Sequence, residues 1–213
     1  MKKTILLFSA IFLLWSCNNE TNNTTIPQNS ASIYKKESVL GISKHFSGIL
    51  TEKYSNGQLK KVTCYKDGTK NGLEKVYYEN GKIKLEGNYK NNIEDGSFKT
   101  YYQNGNLNID TEFKNGLPNN LFSKYHLNGK LALKGIYKEG KLHGEWKTYY
   151  FNGEIESEKK YDNGVNIGEW KTYYENGSLK WKGIYKSGEL IAEQFMILLS
   201  CHLHLIKFYF NLI

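Results

Sequence analysis

The chain repeats itself every 24 residues, and this period constrains its fold more than any other feature of the sequence. The heptapeptide GEWKTYY occurs at Gly144–Tyr150 and again at Gly168–Tyr174, and six Asn-Gly pairs recur at the same interval. The pairs begin at Asn56, Asn80, Asn104, Asn128, Asn152 and Asn176. A literal period without insertions predicts one small structural unit per repeat, because a catalytic site is normally built once from residues that differ.

Each repeat is predicted to be a β-hairpin. Asn-Gly between alternating segments is a strong hairpin signal, because both residues of a type I′ turn must tolerate positive φ. A second glycine, as in KEGKLHG at Lys138–Gly144, indicates a looser connection to the next hairpin. With 20 Gly, two Pro and 15% aromatic residues, the composition is typical of tyrosine-rich β structure. The predicted fold is all-β: an elongated single-layer antiparallel sheet of six tandem 24-residue β-hairpin repeats, roughly 55 Å long.

A two-residue turn also predicts which residues share a face. The expected cross-strand pairs are Tyr150 with Ile155, Tyr149 with Glu156, Lys147 with Glu158, Glu145 with Lys160, Tyr174 with Leu179, and Trp170 with Gly183. One face then carries the tryptophans and the second Tyr of each Tyr-Tyr pair, and the other carries Lys–Glu pairs and the first Tyr. We expect the ring of Trp170 to cover Gly183, and that of Phe122 to cover Gly135.

The first seventeen residues, MKKTILLFSAIFLLWSC, have the composition of a secretory signal. Leu14-Trp15-Ser16-Cys17 resembles a bacterial lipobox, and the resemblance implies cleavage before Cys17 and lipidation of its thiol and new amino terminus. Residues 1–16 are then the signal peptide, and 17–47 are the lipidated cysteine and a disordered Asn/Thr/Ser tether. This predicts an envelope protein, lipid-anchored to a bacterial membrane, which is the outer membrane in a Gram-negative cell. An ordinary secretory signal or an uncleaved anchor is the alternative.

The period ends in an atypical hydrophobic tail, residues 192–213. Phe195–Ile213 would nearly cross a bilayer as a helix, although polar residues interrupt it. The interrupting residues are His202, His204, Lys207 and Asn211. Three interpretations stay open: a frameshifted or truncated end, a hydrophobic cap over the last sheet edge, and a membrane segment.

No sequence motif indicates catalysis, a cofactor or a metal site, so we expect a protein that is not an enzyme. All 29 basic residues are Lys, and the net charge of +8 is spread along the chain, which argues against a nucleic-acid partner. The cysteines Cys17, Cys64 and Cys201 have neither metal-ligand spacing nor the pattern of a disulfide framework. Cys64 is expected to be a small strand residue.

The motif Gly-x-Trp-Lys-x-Tyr-Tyr-x-Asn-Gly-x-Leu, followed by Gly-x-Tyr-Lys-x-Gly, resembles the bacterial variant of the MORN repeat. The resemblance covers residues 48–191, and it implies an elongated single-layered sheet of hairpins. It weakens in the first repeat, where Leu50 replaces Trp, and in the fourth, where Asn120 replaces Gly and His126 replaces Tyr. Bacterial proteins with such repeats are commonly labelled antitoxins of toxin–antitoxin pairs, and the eukaryotic repeats imply phospholipid binding.

The leading functional prediction is a non-enzymatic envelope lipoprotein that presents the repeat sheet as a protein-interaction scaffold. A single layer leaves its aromatic face uncovered, and such a face could pack against a protein, a glycan or another copy. The candidate binding residues on it are Tyr102, Trp146, Tyr150, Trp170, Tyr174 and Trp181. The alternatives are an antitoxin or immunity component and a phospholipid-binding module; the membrane is otherwise reached through the lipid anchor.

Overall fold

The computed structural model describes residues 45–199 and 202–209, with side chains for residues 45–195. The predicted signal peptide, Cys17 and nearly all of the predicted tether lie outside the described residues. Within the described residues, every regular element is a β-strand.

The strands form one antiparallel sheet in which each strand pairs with its neighbours in sequence. The fifteen strand segments are β1 Gly48–Lys53, β2 Leu59–Lys66, β3 Thr69–Tyr77, β4 Ile83–Lys90, β5 Ile93–Tyr101, β6 Leu107–Lys114, β7 Leu117–Tyr125, β8 Leu131–Lys138, β9 Lys141–Tyr149, β10 Ile155–Asp162, β11 Val165–Asn166, β12 Gly168–Tyr173, β13 Leu179–Lys186, β14 Glu189–Leu199 and β15 His202–Tyr209. The short β11 pairs only with β10, so fourteen strands follow one another across the described part of the sheet. The all-β, single-layer prediction is confirmed.

The type I′ turns lie between the hairpins and not at the Asn-Gly pairs, where the sequence predicts them. Consecutive residues with positive φ, the mark of a type I′ turn, occur between the hairpins, as at Asp67 (48°) and Gly68 (73°). At the Asn-Gly pairs only the glycine has positive φ, for example 97° at Gly153. Gly153 N–H donates to the Tyr150 carbonyl at 2.9 Å, which closes a longer turn ending in a left-handed glycine. The predicted two-residue Asn-Gly turn is therefore wrong.

The reason lies in the asparagine side chain. Asn152 Oδ1 accepts a hydrogen bond from the Glu154 backbone N–H at 2.9 Å, and the other five Asn-Gly pairs repeat this contact. Asn side chains favour such local bonds to the backbone two residues on. The sequence signal is thus real, but asparagine is used for its side-chain bond and not for positive φ.

The longer turn places a β-bulge beside it and changes the register there. Ile155 pairs with Tyr149 rather than with Tyr150, and Glu156 has no partner of its own in the ladder. Leu179 likewise pairs with Tyr173, so the predicted pairs involving Tyr150, Tyr174 and Glu156 are wrong. The bulge absorbs the extra residue. Beyond it, three predicted pairs are found: Lys147 with Glu158, Glu145 with Lys160, and Trp170 with Gly183.

The tail continues the sheet. β14 pairs with β13 on one side and with β15 on the other, from Ala192 opposite Tyr209 to Leu199 opposite His202. The strand pattern therefore extends past the end of the repeats that was predicted near residue 191. Among the described residues there is no helix long and apolar enough to cross a bilayer.

Cys64 is a buried residue of β2, as expected, and it also forms a disulfide bond. Its side chain is 2% exposed, and the residue is disulfide-bonded to a partner outside the described residues. The absence of a disulfide-framework pattern in the sequence did not exclude this single bond. The number and spacing of the three cysteines do not reveal such a bond.

Candidate interaction surfaces

One face of the sheet carries aromatic rings in contact from hairpin to hairpin. Centroid distances run from 4.4 to 6.4 Å, and most ring pairs are tilted or edge-to-face, the geometries that aromatic pairs prefer. We call this set the aromatic ladder. It consists of one run through Tyr89, Phe98 and Phe113, and a longer run through Phe122, Tyr137, Trp146, Tyr161, Trp170 and Tyr185.

Glycines in the strands leave room for these rings. A Cβ atom placed on Gly87 would lie 2.1 Å from the Phe98 ring, and one on Gly135 would lie 2.2 Å from the Trp146 ring. The predicted covering of glycine by aromatic rings is present, but by different rings than expected. Trp146, not Phe122, lies nearest Gly135. At Gly183 the nearest ring is that of Trp181, not Trp170, and a Cβ placed on this glycine would lie 2.4 Å from it.

Glu74 occupies the position that Phe98 and Trp146 hold in later hairpins. Its side chain is buried, with 5% of the residue exposed, and its carboxylate accepts a hydrogen bond from Thr63 Oγ1 at 2.9 Å. Lys70 Nζ lies 2.9 Å and Lys61 Nζ 3.1 Å from the same carboxylate oxygen. The ring contact between neighbouring hairpins is thus replaced here by an ionic cluster, which we call the Glu74 cluster.

The electrostatics of this cluster follow from its contacts. Burial acts to raise the pKa of the Glu74 carboxyl, but hydrogen bonds from Lys70, Lys61 and Thr63 lower it, and the net shift is downward. Burial, followed by the charges of Glu74 and Glu94, raises the pKa of Tyr89 to about 12. The cluster therefore holds Glu74 charged and Tyr89 neutral at physiological pH.

The second Tyr of each Tyr-Tyr pair lies in the turn and ties its hairpin to the next. The Tyr150 hydroxyl donates to the Tyr173 carbonyl at 2.7 Å, and Tyr102 bonds the Tyr125 carbonyl at the same distance. In the fourth hairpin (β7–β8), His126 Nε2 makes this contact instead, with the Tyr149 carbonyl at 2.9 Å. Tyr54 and Tyr78 make the equivalent bond. These side chains form a repeated structural link.

The opposite face carries the predicted charge pairs and the first Tyr of each pair. Lys75 lies 3.4 Å from Glu86, and Lys147 lies 2.7 Å from Glu158. The Tyr173 hydroxyl donates to Glu158 at 2.8 Å. Hydrogen bonding by Lys147 lowers the pKa of Glu158 against its partial burial. We call this the charged face.

The candidate binding residues do not form one surface. Trp146 is 7% exposed inside the ladder and offers little area to a partner. Trp170 is half-buried in the ladder, with Lys159 Nζ 5.2 Å from its ring centroid, and Trp181 Nε1 donates to Glu193 at 3.0 Å. Tyr174 is half-buried at the turns, with Lys180 Nζ 5.5 Å from its ring centroid. The remaining two candidates, Tyr102 and Tyr150, are the linking tyrosines at the turns.

The large apolar side chains that are most exposed lie elsewhere. Among the described residues they are Ile93, Leu117, Leu121, Leu127, Ile136, Phe151, Val165, Ile184 and Phe195, each 40 to 60% exposed. Four of the nine belong to the fourth hairpin. Sequence reasoning missed them because it followed the aromatic residues; the departure of the fourth repeat from the motif was the available signal.

Five of the six hairpins match the family described as MORN repeat variant, at residues 46–67, 70–91, 94–115, 142–163 and 167–187. Together these segments cover just over half of the chain. The chain belongs to the MORN repeat variant family. No curated protein resembles it closely enough to extend the assignment. The fourth hairpin is the one without a match, although its backbone follows the same pattern.

One substitution in that MORN-like hairpin is conformationally conservative. Asn120 stands where Gly72, Gly96, Gly144 and Gly168 lie in the other hairpins, and its φ of 68° is in the same left-handed region. Asn tolerates that region better than most residues. The fourth hairpin therefore keeps the fold while its surface differs.

Proposed function

We propose that this chain is a non-enzymatic envelope lipoprotein that presents its MORN-repeat sheet as a protein-interaction scaffold. Repeats of this family occur in modules that bind proteins or membranes. The main observation in support is the one-layer sheet, which leaves nine large apolar side chains 40 to 60% exposed in its described part. Exposed apolar groups on a rigid repeat surface are typical of interaction sites.

The different roles of the aromatic face and the charged face support this proposal. The ladder rings contact one another, and Trp146 is nearly enclosed, so the aromatic side of the sheet mainly serves packing between hairpins. Repeat proteins need this contact at every interface between units. Partner binding then falls to the charged face and the hairpin edges.

The lipobox-like Leu14-Trp15-Ser16-Cys17 and the polar residues after it support anchoring. A diacylated or triacylated cysteine would hold the chain at a membrane, because each buried methylene contributes about 0.8 kcal/mol. Residues 18–44 would supply a polar spacer between the anchor and the sheet.

The experiment compares the full chain with Cys17→Ala in cells fed an alkyne analogue of palmitate. We expect only the wild-type protein to carry the label and to sediment with the membrane fraction. After cross-linking, we expect one protein to be enriched relative to a control purification with an unrelated lipoprotein. An unlabelled wild type would overturn the anchor, as would a disulfide between Cys17 and Cys64 in peptide mapping. No enriched protein would overturn the scaffold.

A phospholipid-binding function is the second candidate, and one observation favours it. The strand ends before the type I′ turns carry a column of lysines, and exposed Ile93, Leu117 and Val165 follow these turns. The column comprises Lys66, Lys90, Lys114, Lys138 and Lys186. Basic and aliphatic side chains together suit an anionic bilayer surface. Flotation of Cys17→Ala protein with vesicles containing anionic lipid tests this; protein left at the bottom of the gradient would exclude it.

A further inference from the structure

A single row of mostly charged side chains crosses the charged face, with six lysines and three carboxylates. Neighbouring strands place lysine opposite carboxylate, as in Lys99 opposite Asp110 and Lys147 opposite Glu158. In the last complete hairpin, where Lys171 lies opposite Lys182, Glu169 bridges both lysines at 2.5 Å. From β3 to β13 the row reads Lys75, Glu86, Lys99, Asp110, Ser123, Lys134, Lys147, Glu158, Lys171 and Lys182.

The row is broken in the fourth hairpin. Ser123 takes the place of a lysine, and Lys134 takes the place of the carboxylate that Glu86 and Glu158 supply in other hairpins. Lys134 is exposed and makes no ion pair with any residue whose side chain the structure describes. Its neighbour across β9 is another lysine, Lys147.

Within the row, the carboxylates that flank Lys134 on either side are each paired with another lysine. Glu158 is bound to Lys147 at 2.7 Å, and Asp110 lies 3.5 Å from Lys99. The fourth hairpin itself, residues 117–138, contains four lysines and no Asp or Glu. This hairpin therefore adds positive charge to the row without a carboxylate of its own.

Beside Lys134 lies an exposed apolar pair on the same face. Leu121 and Ile136 are direct cross-strand partners and are 47% and 44% exposed. Successive residues of a strand alternate between faces, so Leu121 shares a face with Ser123, and Ile136 with Lys134. In the fifth hairpin, Glu145 and Lys160 occupy the positions of this pair. We call Leu121, Lys134 and Ile136 the Leu121 patch.

We propose that the Leu121 patch is the docking site for an acidic, apolar segment of a partner protein. The segment would place a carboxylate against Lys134 and apolar side chains over Leu121 and Ile136. Complementary charge selects such a segment over a basic one, and the apolar pair gives it area to bury. The inference rests on the proposed scaffold function and names the chemistry of its partner.

The test uses three fluorescent decapeptides and the full-length protein in detergent. One peptide alternates Asp with Leu, the second replaces Asp by Lys, and the third replaces Leu by Ser. Anisotropy titrations should show the Asp–Leu peptide binding at least about tenfold more tightly than the other two. Equal binding of the Asp–Leu and Lys–Leu peptides would overturn the proposal.

The chain offers a matched control for the patch. Lys182 and Ile184 lie at the positions of Lys134 and Ile136, but Glu169 faces Ile184 and binds Lys182. The double variant Lys134→Glu with Ile136→Ser should weaken the Asp–Leu peptide about tenfold or more. Lys182→Glu with Ile184→Ser should leave it within about twofold.

Other outcomes are equally decisive. Equal losses in both variants would place the peptide elsewhere and overturn the proposal. The proposal would also be overturned if the patch variant kept its peptide affinity but alone lost binding to anionic vesicles or self-association. If the peptides fail but cells yield a cross-linked partner, the scaffold function survives and this site does not. If the peptides bind but Cys17→Ala changes nothing, the anchored function fails and this site survives.

Discussion

The second hairpin (β3–β4) and the fifth hairpin (β9–β10) have the same backbone pattern but fill the equivalent interior position with different side chains. In the fifth, Trp146 fills the interior position, contacts Tyr137 at 5.0 Å between ring centroids, and donates from Nε1 to the Ile136 carbonyl at 3.1 Å. In the second, Glu74 fills that position and is held by two lysines and Thr63. Both residues are nearly enclosed, at 7% and 5% exposure.

The difference shows that the repeat specifies a place to be filled and not a residue type. A ring stabilises this place mainly by apolar burial, which depends little on pH. A buried carboxylate does so only while it is ionised and its hydrogen bonds are intact. The two hairpins should therefore respond differently to mutation and to acid.

The largest effect is expected from removing the ring. Trp146→Ala should lower the free energy of unfolding by about 3 to 5 kcal/mol, because it opens a cavity between neighbouring hairpins. Urea unfolding measures it. Phe151→Ala, at a side chain 60% exposed, is the control and should change stability by less than about 0.5 kcal/mol. Equal effects would mean that the ladder does not hold the sheet together.

Removing the carboxylate should have the next largest effect. Glu74→Ala should lower the free energy of unfolding by about 1 to 3 kcal/mol, because the buried Thr63 hydroxyl and two lysines lose their partner. Glu74→Phe restores a ring like that of Phe98, while the lysines can turn to solvent, so its loss should be smaller. A phenylalanine variant less stable than the alanine variant would contradict the equivalence of the two positions.

The two hairpins should agree where their contacts agree. Tyr78 and Tyr150 each donate a hydrogen bond of 2.7 Å to the next hairpin, at the Tyr101 and Tyr173 carbonyls. Tyr78→Phe and Tyr150→Phe should each cost about 1 kcal/mol, measured by urea unfolding. A clear difference between them would show that the Glu74 cluster changes the hairpin beyond its own position.

The smallest effect is expected on the charged face. Lys75 and Lys147 pair with Glu86 and Glu158 in partly exposed positions. Lys75→Ala and Lys147→Ala should each change stability by about 0.5 kcal/mol or less, because water screens such pairs. Thermal unfolding at low and high salt checks this; a loss near that of Glu74→Ala would assign the charged face a structural role.

The periodic features of this fold were predictable, and the exceptions were not. Six Asn-Gly pairs at a constant interval and alternating residues specify hairpins, one sheet and the Lys147–Glu158 pair, because strand period and turn spacing decide them locally. The turn type was mispredicted, since Asn152 bonds its own backbone instead of adopting positive φ. That choice moved Tyr150 from the predicted face to the turn.

The candidate site was less predictable, because burial depends on neighbours that sequence does not rank. Trp146 and Trp170 look alike in the sequence, yet only Trp146 is nearly enclosed. The Glu74 cluster needed the pairing of β2 with β3 to bring Lys61 and Thr63 to the carboxylate. The Leu121 patch appears only when the whole row of cross-strand charges can be followed.

The most direct test of the comparison is hydrogen exchange in the wild-type chain at pH 7 and at about pH 3.5. The pKa of Glu74 lies below its ordinary value of 4.5, so its stabilisation is present above that value and is lost as pH falls through the lowered pKa. After correction for intrinsic rates, amides of β2–β4 should lose protection in acid while those of β8–β10 keep most of theirs, and Glu74→Gln should remove the difference. Uniform loss across the sheet, or unchanged protection in β2–β4, would contradict the account.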